Sequence, residues 1–184
     1  MPDQSHRETG PEIPVGVLEP GDLHRFQAVL GWLELGNPGE ALLELNTIRP
    51  ASASQPLMLE LAYQVHSACL DWAGALTVAL KLKSLFPGRS AAWLHESYAL
   101  RRAPGGGVPQ ALEALSPALA LFPEEPTIPY NLACYSCVMG NHEAVFPLLE
   151  KAMNAGMRDR ILSMALADRD FEPLWGEIQA RWAD

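Results

Sequence analysis

The stretch GNPGEALLELNTI, residues 36–48, has a counterpart in GNHEAVFPLLEKA, residues 140–152, and this pair decides the fold. Each begins with a Gly-Asn turn and continues with leucines and alanines at the three- and four-residue spacing of an amphipathic helix. The turn glycines, Gly36 and Gly140, lie 104 residues apart. A unit of the sequence is therefore repeated, with room for intervening copies.

Two columns of small or aliphatic residues establish the length of this unit. In both columns the members are separated by 34, 36 and 34 residues, which add up to the distance between the turn glycines. The columns are Ala41, Ala75, Ala111 and Val145, and Ile48, Leu82, Ala118 and Ala152. The period is 34 residues. The two extra residues are expected in the segment 103–109, APGGGVP, because glycines lengthen a turn without needing packed side chains.

The composition predicts that the units are helical. Leu and Ala supply 53 of the 184 residues, whereas the β-branched residues Val, Ile and Thr total 17. The breaks in the apolar pattern predict four helix pairs, at 23–35 with 39–48, 57–69 with 72–85, 90–102 with 109–121, and 127–139 with 142–155. Pro117 and Pro147 fall inside two of the second helices, where we expect kinks.

Several residues recur at equivalent positions of the units. They are Trp32, Gly36, Glu40, Ala41, Leu45 and Ile48; then Ala75, Leu82 and Pro87; then Trp93, Ala111, Ala118 and Pro123; and finally Tyr130, Leu132, Ala133, Gly140, Val145 and Ala152. In this pattern the chain resembles the tetratricopeptide repeat (TPR) family over residues 22–156. Val29, Tyr63 and Val145 depart from it, because the family usually has smaller residues there. The resemblance implies an all-α fold, a right-handed superhelix (α-solenoid) of helix-turn-helix repeats of about 34 residues.

The sequence divides into three parts. Residues 1–20 carry four prolines and a charge of −3, and are expected to form a flexible arm; whether this arm enters the chain's own groove is open. Residues 21–156 are expected to form the four repeats, and residues 157–184 the C-terminal capping helices. We expect Asp170 to cap a helix there. An apolar stripe follows, made of Phe171, Leu174, Trp175, Ile178 and Trp182.

Charge and motifs exclude several classes of function. A net charge of −9 argues against binding nucleic acid or a membrane surface. No phosphate-binding loop and no arrangement of nucleophile and base is recognisable, so we expect neither enzymatic activity nor a cofactor. The odd number of cysteines and the lack of a signal-peptide pattern in residues 1–20 favour a cytoplasmic protein.

The segment Cys-Tyr-Ser-Cys, residues 134–137, leaves one chemical alternative open. On a helix this spacing puts Cys134 and Cys137 on the same face, where a metal or redox function is conceivable. A tetrahedral zinc site needs four ligands, however, and only His142 is nearby in the sequence. A structural role for both cysteines is therefore favoured.

The resemblance also implies where a ligand would bind, since the first helix of each pair lines the concave groove in TPR proteins. The groove candidates are Phe26, Gln27, Leu30, Glu60, Gln64, Leu94, His95, Tyr98, Arg101, Arg102, Tyr130 and Asn131, with Cys134 and Cys137 beside them. Aromatic rings mixed with amides suit a peptide or a helix. The arginines at 101 and 102 are expected either to hold an acidic segment or to be two solvated charges.

The main interpretation is a non-enzymatic TPR adaptor that binds a peptide or helix of another protein, as a monomer or weak homodimer. One alternative is an assembly factor, either a secretion-type chaperone or a kinesin-light-chain-like accessory of a tubulin-like filament. The other is the metal or redox protein using Cys134 and Cys137. No residue pattern in the chain identifies the partner.

Overall fold

The computed structural model describes residues 18–182, and within that range it contains helices and turns but no strand. Twelve α-helices are found in this range, together with a 3-10 turn at Arg169–Leu174 between the last two. The helices are α1 Pro20–Glu34, α2 Pro38–Leu45, α3 Pro50–Ala53, α4 Pro56–Ala68, α5 Trp72–Leu85, α6 Ser90–Leu100, α7 Val108–Leu115, α8 Ala118–Leu121, α9 Thr127–Val138, α10 His142–Ala155, α11 Arg158–Ala167 and α12 Trp175–Trp182.

The helices stack in the order of the chain. Within each pair, α1 packs on α2, α4 on α5, α6 on α7, and α9 on α10. Each second helix also contacts the first helix of the next pair, from α2 against α4 to α10 against α11. Such nearest-neighbour packing is the architecture of an α-solenoid, and it confirms the all-α class and the expected helix boundaries to within a few residues.

The first column of small residues occupies equivalent places in the structure. Ala41, Ala75, Ala111 and Val145 are each the fourth residue of their helix, α2, α5, α7 and α10. All four have no exposed surface. A small side chain at this position lets the second helix approach its neighbours closely, which explains why the column is so regular.

The two prolines within second helices behave differently. At Pro117 the helix is interrupted, because α7 ends at Leu115 and α8 begins at Ala118. At Pro147, by contrast, α10 runs without interruption from His142 to Ala155. The helix is therefore broken at Pro117, as the expected kink suggested, and is continuous through Pro147.

The glycine triplet lies in the turn that holds the two extra residues. Gly105 has a φ of +77° and Gly107 a φ of +152°, conformations that residues with a side chain rarely adopt. The backbone N–H of Gly107 donates to the carbonyl of Leu100 at 2.9 Å. A Cβ on Gly106 would overlap the same carbonyl oxygen, so this turn requires glycine.

A short helix and a buried carboxylate at the N-terminal end were not expected. The helix α3 occupies Pro50–Ala53, where the sequence predicted a loop. Its Ser52 hydroxyl donates to the fully buried Asp22 of α1 at 2.6 Å, and Arg49 Nε donates to the same carboxylate oxygen at 3.0 Å. These hydrogen bonds hold the pKa of Asp22 at about 2 and tie α3 to the first helix pair.

The C-terminal segment covers the last helix pair. Phe171, Leu174 and Ile178 are almost fully buried, and Trp182 lies 5.9 Å, between ring centroids, from Phe146 of α10. The expected cap at Asp170 is wrong, because it is Asp168 whose side chain accepts the backbone N–H of residue 170, at 3.0 Å. The 3-10 turn that follows packs directly against α9.

Two further findings concern the ends of the chain and the membrane. Most of the expected arm, residues 1–17, lies outside the described range, and α1 already begins at Pro20. Among residues 18–182, no helix has both the length and the apolar character needed to cross a bilayer.

Candidate binding cleft

A cleft of about 390 Å³ opens on the face formed by the first helices of the second, third and fourth pairs. Its walls come from α4, α6 and α9, so it lies across three successive repeats. The lining residues are Tyr63, Ser67, Leu94, His95, Tyr98, Thr127 and Asn131. We refer to this feature as the cleft.

The repeat explains why these side chains meet. Tyr63 lies on α4, and His95 and Asn131, which are 36 residues apart, occupy equivalent positions on α6 and α9. Because the first helices run side by side, equivalent positions face the same side of the solenoid. Four of the groove candidates line the cleft: Leu94, His95, Tyr98 and Asn131.

Sequence reasoning missed three lining residues: Tyr63, Ser67 and Thr127. A signal was present for the first of them, because a tyrosine stands where the repeat pattern usually has a small residue. Ser67 and Thr127 gave no such signal, since small polar residues are common on any helix surface.

Two rings form the floor of the cleft. Tyr63 and His95 stack with centroids 3.9 Å apart and planes inclined by 13°. Tyr63 is 6% exposed, yet its hydroxyl has no hydrogen-bond partner among the described residues. Burial raises the pKa of Tyr63 to about 12 and lowers that of His95, so both rings are neutral at pH 7.

At the edge of the cleft, the half-buried Trp72 and the exposed Tyr98 form an aromatic surface that we call the shelf. Their ring centroids are 5.9 Å apart. The guanidinium of Arg102 lies 3.6 Å from the centroid of Tyr98 and 5.3 Å from that of Trp72. One of its N–H groups donates to the backbone carbonyl of Tyr98 at 3.2 Å. The stacking and this hydrogen bond hold the cation in place at the mouth of the cleft.

The adjacent Arg101 has a different partner. Its two terminal nitrogens donate to the two carboxylate oxygens of Asp170 at 2.5 and 2.8 Å, a bidentate pair. Nearby, the Tyr130 hydroxyl donates to Asp168 at 3.0 Å, and the Tyr130 ring meets Phe171 edge to face at 5.7 Å. Arg101 and Tyr130, both groove candidates, are thus occupied by the chain's own C-terminal turn, and Arg101 is not one of two solvated charges.

The remaining groove candidates lie outside the cleft. Phe26 and Leu30 pack against the core of the first helix pair, and Gln27 and Gln64 are exposed. Glu60 forms an ion pair with Arg89, with a nitrogen-to-oxygen distance of 2.7 Å. These residues therefore flank the cleft along α1 and α4 without lining it.

Cys134 and Cys137 are buried in α9. Burial raises the pKa of both thiols, and the carboxylates of Asp168 and Asp170 raise it further. Ligand atoms of Cys134, Asp168 and Asp170 lie within 4.8 Å of one another. Both carboxylates already accept hydrogen bonds from Tyr130 and Arg101, so this group is arranged as part of a polar network.

Comparison with known proteins shows the fold. No family model and no curated protein matches the chain. Among solved structures, it is similar to one titled "MamA MSR-1 C2", with a TM-score of 0.61 and 16% sequence identity over 78% of this chain and 83% of that one. That neighbour is a TPR-like protein. The chain is accordingly an all-α solenoid of TPR-like helical repeats.

Proposed function

We propose that this protein is a non-enzymatic interaction module that binds an extended or helical segment of a partner protein in the cleft. The observation that carries the proposal is the cleft itself, which combines an apolar wall, a stacked Tyr63–His95 floor and an amide at Asn131. Apolar surface with a few convergent polar groups is the usual make-up of a peptide-binding groove.

The fold supports the same class of function. TPR-like solenoids generally act as interaction scaffolds. The chemistry of the cleft is consistent with a binding role, because none of its lining residues carries a carboxylate. The titratable side chains of the lining are the neutral Tyr63 and His95 and the exposed Tyr98. The net charge of −9 disfavours nucleic acid as a partner and is compatible with a protein.

Selection from a displayed library of random peptides tests this function. Tyr98 is 42% exposed and lines the cleft, so Tyr98→Ala should abolish binding of the selected peptides without unfolding the protein. The matched control is Leu80→Ala, a 47% exposed residue on α5 that does not line the cleft. Equal binding by both variants would remove the cleft from the explanation.

Tyr130 is a poor choice for this test. It is 6% exposed and its hydroxyl is bonded to Asp168, so Tyr130→Ala would disturb the end of the solenoid as well as any binding surface. A loss of binding in that variant would not distinguish the two causes.

The metal or redox function and the assembly-factor roles differ in how well the structure supports them. A metal or redox function is disfavoured, because Cys134 and Cys137 are buried and the carboxylates of Asp168 and Asp170 beside them already accept hydrogen bonds from the chain. The chaperone and filament-accessory roles, like the cytoplasmic location and the monomer or weak homodimer, stay predictions. Stabilisation of a co-expressed partner, or co-sedimentation with a tubulin-like polymer, would favour one of these two roles over the general adaptor.

A further inference from the structure

The adjacent arginines of the third repeat are split between two tasks, and this split indicates what the cleft recognises. Arg101 is held by Asp170, whereas no carboxylate of residues 18–182 lies within ion-pair distance of Arg102. Arg102 is exposed and supported on the shelf by Tyr98 and Trp72. A guanidinium that is fixed in orientation and has no anion beside it is prepared to bind one.

Charge around the cleft points to an acidic ligand. The protein has a net charge of −9, yet none of the seven lining residues carries a carboxylate. Arg102 stacks on Tyr98 at 3.6 Å, and Tyr98 itself lines the cleft, so the cation lies beside the lining. The net charge of −9 repels acidic segments at long range, so their attraction to the cleft has to come from Arg102 at short distance, where the charges of the rest of the surface are screened by salt.

The chain itself provides an example of the recognised chemistry. In the C-terminal turn, an aspartate at 170 pairs with Arg101 in bidentate fashion, and Phe171, the next residue, packs edge to face on Tyr130. An acidic residue beside an apolar one is thus already bound by the arginine that directly precedes Arg102 in the sequence. The acid there is an internal side chain and not a chain terminus.

We propose that the cleft binds an internal segment of a partner protein in which an Asp or Glu side chain pairs with Arg102 on the shelf while a neighbouring apolar side chain enters between Tyr63 and Leu94. This inference rests on the proposed function and specifies its ligand. The lining supports the second half, because Leu94 and the stacked, neutral rings of Tyr63 and His95 offer an uncharged surface to such a side chain.

The test is selection with the full chain against peptides displayed within a coat protein, which have no free C-terminus. The selected sequences should share an Asp or Glu next to an apolar residue. The best peptide, synthesised with both ends blocked, should bind Arg102→Gln at least about fivefold more weakly than the unmodified protein. The loss of affinity caused by Arg102→Gln should become smaller as the salt concentration rises, because salt screens this exposed contact.

A double-mutant cycle identifies the contact. The protein change Arg102→Gln is combined with replacement of the peptide's acidic residue by its amide; if the two groups touch, the double change should weaken binding no more than either single change. Arg158→Gln, at an exposed arginine of α11, is the matched control and should bind like the unmodified protein. Circular dichroism should show that both variants remain folded.

Three results would overturn the inference. The role of Arg102 would be refuted if the selected peptides require Tyr98 but show no preference for Asp or Glu. It would also be refuted if the losses of binding free energy in the double-mutant cycle are additive. Either result would leave the proposed function intact. Peptides that bind only with a free C-terminal carboxylate would refute the internal segment. Failure to select any peptide dependent on Tyr98 would refute this inference together with the proposed function.

Discussion

Replacing Leu70 by glycine is expected to stabilise the protein, although it removes a large apolar side chain. Leu70 lies in the turn between α4 and α5 with a φ of +57°, and it is the only non-glycine residue of the described range with a positive φ. The equivalent turns of the first and fourth pairs have Gly36 at +70° and Gly140 at +76°. The repeat thus imposes on Leu70 a backbone conformation that leucine resists.

The magnitude follows from two opposing terms. The left-handed conformation costs a non-glycine residue about 1–2 kcal/mol. Glycine in turn lowers the free energy of unfolding by about 0.5–1 kcal/mol, because it gives the unfolded chain more conformational freedom. Leu70 is 72% exposed, so its side chain contributes little burial energy. The free energy of unfolding should therefore rise by about 0.5–1 kcal/mol in Leu70→Gly.

Urea unfolding followed by circular dichroism measures this change. The matched control is Leu35→Gly, because Leu35 is 76% exposed in the equivalent turn but has a φ of −75°. The free energy of unfolding of that variant should fall by about 0.5–1 kcal/mol, because at a negative φ glycine relieves no backbone strain. If Leu70→Gly is destabilised to the same extent as Leu35→Gly, the argument that the repeat forces a left-handed turn at residue 70 is wrong.

Two further predictions concern buried or partly buried charges. Asp170→Asn should lower the free energy of unfolding by about 1–3 kcal/mol, because it breaks a bidentate pair in which Arg101 and Asp170 are 25% and 19% exposed. The control Glu172→Gln, at an exposed residue, should change the free energy of unfolding little. Equal effects of the two variants in urea unfolding would refute this role for Asp170. The pKa of Asp22 is about 2 in the folded protein against an ordinary 3.8, so its stabilisation is complete above pH 3.8 and is lost as the pH falls from there towards 2. The difference in Tm between the unmodified protein and Asp22→Asn should narrow over that range, and a difference independent of pH would contradict the assignment.

The repeat architecture could be predicted from the sequence because it rests on local signals. The spacing of Ala41, Ala75 and Ala111 and the turn glycines both report the period, and each helix pair follows from the apolar pattern within about 34 residues of chain. The glycine triplet likewise marked the one turn that holds extra residues. None of these features depends on contacts between distant parts of the sequence.

The parts that could not be predicted depend on such contacts. The short helix α3 is held by Asp22, which lies 30 residues before Ser52. Asp170 finds Arg101 across 69 residues, and nothing in the local sequence shows that it pairs there instead of capping a helix. Arg101 and Arg102 follow the end of α6, and the first pairs with Asp170 while the second stacks on Tyr98, so the Arg-Arg pair in the sequence does not show that each has its own partner.

The separation of the two arginines has a consequence for how this protein could change over time. Arg101 fastens the end of the solenoid, whereas Arg102 contributes its side chain only to an exposed surface. Under the proposed recognition, substitutions at residue 102 would alter which segments are accepted without weakening the scaffold. Specificity and folding would then depend on two different residues, so one could change while the other stayed fixed.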